Sequence, residues 1–76
     1  MRILLVEWLD SNIIHGWAHK DEMRDCLAPC KTVGFLKSED EEKMTLVMGV
    51  SDFDATVESF TIPKGCIKKV KELRIK

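Results

Sequence analysis

"IPKGCIKKVKELRIK", residues 62–76, decides what kind of small protein this is. Ile67, Val70 and Leu73 recur at every third position among good helix formers, whereas Pro63-Lys64-Gly65 has the chemistry of one tight turn between two strands. Two readings are open: a short 3₁₀ turn followed by a last strand within 66–75, or a terminal helix. The turn residues favour the strand.

Everything upstream reads as strands and turns. "RILLVEWL", residues 2–9, sets Ile3, Leu5 and Leu9 on one face and Leu4, Val6 and Trp8 on the other, the pattern of a strand covered on both sides. Asp10-Ser11-Asn12 ends it, because short polar side chains bond nearby backbone and tolerate unusual dihedrals. Residues 13–18 are read as a short strand. Residues 19–30 read as a connecting loop with at most one helical turn, since Met23 and Leu27 are the only apolar pair at helical spacing and Pro29 follows. In "KTVGFLK", residues 31–37, Val33 and Phe35 share a face, and the acids of "SEDEE" then suit a solvated hairpin loop. "KMTLVMGV", residues 43–50, alternates Met44, Leu46, Met48 and Val50 with Thr45, Val47 and Gly49 in period two. "SDFDA" turns the chain, "TVESFTI" points Phe60 and Ile62 the same way, and Pro63 ends that strand. The expectation is a mainly β fold: one domain over residues 1–76, a closed SH3-like or Sm-like barrel of about five strands, with a short 3₁₀ turn near Pro63.

Composition bounds the function. A chain of 76 residues with 45% apolar and 33% charged residues is that of a folded domain. A domain this short buries only about 60% of its unfolded surface, so a homo-oligomer is expected. The net charge of −1 gives no global pull toward nucleic acid or anionic lipid. No apolar stretch approaches the roughly 18 residues of a membrane span, and the run from Ile3 meets Glu7 too soon for a signal peptide. A cytoplasmic protein without membrane partners is the expectation. Three cysteines, Cys26, Cys30 and Cys66, are an odd number and read as reduced thiols.

His15, His19, Cys26 and Cys30 form an H-x₃-H-x₆-C-x₃-C series whose residue types all bind zinc, yet the spacing lacks the short Cys turns of structural knuckles, so no metal is expected. Nucleophilic catalysis would need a thiol with an oriented base, and no motif fixes one. The chain is therefore read as non-enzymatic, with no cofactor. Lys64, Lys68, Lys69, Lys71, Arg74 and Lys76 stand against Glu72 alone, which suits either an anion-binding strip or a lysine-guarded edge strand. Trp17, beside Gly16 after a polar turn, is the candidate stacking platform.

The order "VEWLDS", "GW", "CKTVGFL", "TLV" and "TIPKGCIKKVKEL" resembles a family of small phage and prophage proteins with no assigned activity. The match runs through nearly the whole chain and falls on Glu7, Trp8, Asp10, Ser11, Gly16, Trp17, Cys30, Val33, Gly34, Phe35, Pro63, Cys66, Ile67, Val70 and Leu73. It brings no catalytic residues. What it implies is a phage protein acting in the host cytoplasm as a binder against host defence. One hypothesis is a sponge: a homo-oligomer whose interface pockets sequester a nucleotide-derived immune signal, either a cyclic nucleotide or an ADP-ribose-type molecule. Trp8, Asp10, Ser11, His15, Trp17, Arg24, Lys68 and Lys69 are its candidate ligand-binding residues. The alternative is an Sm-like or SH3-like adaptor for RNA, single-stranded DNA or a host protein, which the net charge disfavours for nucleic acid.

Overall fold

The computed structural model describes residues 1–11, 17, 20 and 27–75. The described residues form one five-stranded antiparallel sheet. β1 is Ile3–Asp10, β2 Ala28–Glu39, β3 Lys43–Val50, β4 Thr56–Pro63 and β5 Ile67–Leu73, and a 3₁₀ turn, Lys64–Cys66, joins the last two. The strand order is β4-β3-β2-β1-β5. The turn-and-strand reading of residues 62–75 therefore holds over the helical one. The expected short strand at 13–18 lies outside the described residues except for Trp17.

The two strands joined by the 3₁₀ turn occupy opposite edges of the sheet. In a flat sheet those edges would stand about 19 Å apart, four strand spacings. The chain from Pro63 to Ile67 reaches about 14 Å at most. The sheet is therefore coiled on itself. No ladder joins β4 to β5, so it stops short of the closed barrel that the sequence suggested. With the two edges unpaired, β4 has only Ile62 buried and β5 has no buried residue.

The concave face carries the core: Leu4, Val6 and Trp8 from β1, Met44 and Leu46 from β3, and Ile62 from β4, with Cys30, Leu36 and Ile67 packed against them. The opposite face of β1 is only half-buried, so that strand is covered fully on one side, not two. Trp8 meets Phe60 across the concavity with ring centroids 5.4 Å apart, and its indole Nε1–H donates to Thr32 Oγ1 at 2.9 Å. Those contacts tie β1 to β4 and β2. Gly34 permits the coiling, because a Cβ there would lie 3.0 Å from the Val47 carbonyl oxygen and 3.1 Å from Leu46 Cβ. A bulge between Leu36 and Ser38 adds to the bend of β2.

The acid run is a tight hairpin turn. Asp40 Oδ1 accepts from the backbone N–H of Glu42 and of Lys43 at 2.8 and 2.9 Å, and Oδ2 pairs with Lys43 Nζ at 2.9 Å. Lys64 ties the 3₁₀ turn to this hairpin, its N–H donating to Glu42 O at 2.7 Å and its Nζ reaching Glu39 Oε2 at 2.7 Å. At the sheet's other side Arg2 Nε reaches Glu72 Oε1 at 2.6 Å.

β2 and β3 pair only as far as Phe35 and Val47, after which β2 continues with β1 and β3 with β4. Residues 48–58 therefore project as a two-stranded arm. Met48, Val50 and Val57 are exposed along it. Ser51 fixes its tip: Ser51 N–H donates to Ala55 O at 2.8 Å, Asp54 N–H to Ser51 O at 3.1 Å, and Ser51 Oγ accepts from Phe53 and Ala55 N–H at 3.2 and 3.1 Å.

Candidate functional site

A cavity of about 350 Å³ opens where β1, β2 and β5 meet, lined by Glu7, Trp8, Pro29, Cys30, Lys31 and Lys68. Its position follows from register. Trp8 pairs with Cys30 on one side and with Ile67 on the other, while Glu7 pairs with Lys31 and Lys69. The shift between Glu7 and Trp8 leaves Lys68 as an unpaired bulge residue, and it lines the cavity.

The lining mixes apolar residues, Trp8, Pro29 and Cys30, with charged ones, and alternation along β1 and β2 puts the Trp8 and Cys30 side chains on the core side and those of Glu7, Pro29 and Lys31 on the outer side. Two lysines, Lys31 and Lys68, stand against the single acid Glu7, and none of the three joins an ion pair among the described residues. The Cys30 thiol donates to Ala28 O at 3.4 Å, a carbonyl that cannot take its proton. Such a site suits binding of an anion with a flat apolar part better than nucleophilic chemistry.

Of the residues singled out from the sequence, Trp8 and Lys68 line this cavity together. Trp8 is only 8% exposed, its ring packed on Phe60. Lys69 stands opposite Glu7 in the ladder and outside the lining. Asp10 and Ser11 sit exposed at the end of β1, where Asp10 Oδ1 accepts the Ser11 N–H at 2.8 Å. Trp17 is wholly exposed. His15 and Arg24 lie outside the described residues, as do His19 and Cys26 of the zinc-type series. The sequence reading did not name Glu7, Pro29, Cys30 or Lys31 as ligand-binding, although the resemblance fell on Glu7 and Cys30 and the zinc-type series included Cys30. The signal that finds them is cross-strand register, which no single stretch of sequence displays.

A smaller cleft, about 170 Å³, lies where β2 and β3 part, lined by Thr32, Val33, Leu46, Val47, Met48, Glu58 and Phe60. Among the described residues no helix is long and apolar enough to cross a membrane. No protein-family model matches the sequence, and no curated protein and no solved structure matches the chain.

Proposed function

We propose that this chain is a non-enzymatic binding protein whose Lys31–Lys68 cavity takes a small anionic ligand with a flat apolar part. The observation that carries the reading is that apolar residues, Trp8, Pro29 and Cys30, and two lysines, Lys31 and Lys68, line one cavity. Its volume, about 350 Å³, is at the small end of ligand sites and suits one nucleoside unit better than a whole dinucleotide. The coiled sheet, with a 3₁₀ turn between its two edge strands, supports placing the fold with small open barrels of the SH3-like or Sm-like kind. Together with the phage resemblance, this favours a nucleotide-derived immune signal as the ligand, sequestered and released unchanged.

Calorimetric titration of the whole chain with a panel of cyclic dinucleotides and ADP-ribose derivatives tests the proposal. At least one should bind, and Lys31→Glu and Lys68→Glu should each weaken it by roughly tenfold, about 1.4 kcal/mol. No heat and no melting shift across the panel, or equal binding by both variants, would sink it.

A further inference from the structure

We propose that the tip of the β3–β4 arm, Asp52-Phe53-Asp54, docks into the Lys31–Lys68 cavity of a second copy of this chain. Phe53 is 93% exposed although four hydrogen bonds to Ser51 and Ala55 hold the turn that presents it. A rigid turn offering an aromatic ring to water is preorganised for insertion, since little freedom is left to lose on binding. The ring is flanked by two acids, and the cavity is lined by two lysines against one acid, Glu7, with the exposed Pro29 and the half-buried Cys30 beside them. Charge and polarity therefore match: phenyl against Pro29 and Cys30, and Asp52 and Asp54 against Lys31 and Lys68.

The occupant comes from another molecule, because the exposure of Phe53 means that its own chain does not bury it. A second copy carries both halves of the contact. Pairing arm with arm would instead set Asp52, Asp54 and Glu58 against like charges. The need for a partner is also written along the arm, where Met48, Val50 and Val57 stay exposed and a lone two-stranded hairpin is marginal in water.

The contact does not depend on the ligand reading, but it uses the same cavity, so ligand and arm tip compete. Sedimentation equilibrium of the whole chain over a range of concentrations reads the association. The unaltered chain should self-associate, and Phe53→Ser and the double variant Lys31→Glu/Lys68→Glu should each weaken it by at least about tenfold while melting like the unaltered chain. The two variants mixed should form a 1:1 complex that neither forms alone, because one keeps the cavity and the other keeps the tip. A chain that stays monomeric throughout, an association untouched by Phe53→Ser, or a mixture that behaves as its separate parts would overturn the proposal. Phe53→Ser retains the cavity, so calorimetry on that variant measures ligand binding separately from assembly.

Discussion

Trp8 and Trp17 are nine residues apart and play opposite parts. Trp8 closes the core through Phe60 and Thr32, and replacing a buried tryptophan by alanine costs about 3–5 kcal/mol. Small domains have roughly 5 kcal/mol in total. Trp8→Ala should therefore lose its cooperative urea transition, followed by circular dichroism. Trp17→Ala should melt within about 0.5 kcal/mol of the unaltered chain, as exposed substitutions do. The sequence separated these residues because Trp8 lies in a strand apolar on both faces and Trp17 follows a turn and a glycine. It also placed Phe60 on the same face as Ile62. Phe60 stays half exposed because β4 is an edge strand whose inner face opens toward the arm.

At the scale of elements, period two located β3, and apolar residues bounded by turns located β1 and β4, but neither showed where each strand stops having a neighbour. Met44, Leu46, Met48 and Val50 form one alternating row, yet only the first two are buried. The row changes character because β2 departs after Phe35, and that departure depends on Gly34 accepting the close approach of Val47 and Leu46. Nothing within "KMTLVMGV" announces it. Gly34→Ala forces a methyl against backbone and should cost about 1–3 kcal/mol in chemical denaturation. A variant of unchanged midpoint would show that the bend has other causes. The acid run was legible as a hairpin loop, while the double acceptance by Asp40 that closes it was not, since any of four consecutive acids could have held that position.

Three exposed carboxylates add surface ties to a molecule held by its apolar core. The Lys43 ammonium and the Glu42 and Lys43 N–H groups hold the Asp40 carboxyl down to about 2, from an ordinary 3.8. Hydrogen bonds from Lys64 and Arg2 lower Glu39 and Glu72 in turn. Each group titrates lower folded than unfolded, so its stabilisation is complete above the ordinary carboxylate range and is lost as pH falls through the folded value. Melting temperature should fall progressively from about pH 4.5 toward pH 2. Asp40→Asn should lie below the unaltered chain at neutral pH and converge with it near pH 2. Parallel curves at all pH values would remove Asp40 from the account. The Arg2–Glu72 pairing was not visible beforehand, because the two residues stand 70 positions apart.

That separation also has a bearing on how the chain acquires its shape. β1 lies inside the sheet, between β2 and β5, yet its second neighbour is the last strand in chain order. During synthesis β1 leaves the ribosome with half its backbone hydrogen-bonding groups unanswered until Ile67–Leu73 emerge. Contacts so distant in sequence close slowly, because loop entropy must be overcome before they contribute. The 3₁₀ turn at Lys64–Cys66 shortens that search: once the β3–β4 hairpin and the β1–β2 pair have formed, it swings β5 from one border of the sheet to the other. Three residues thereby convert the slowest closure in the fold into a local step.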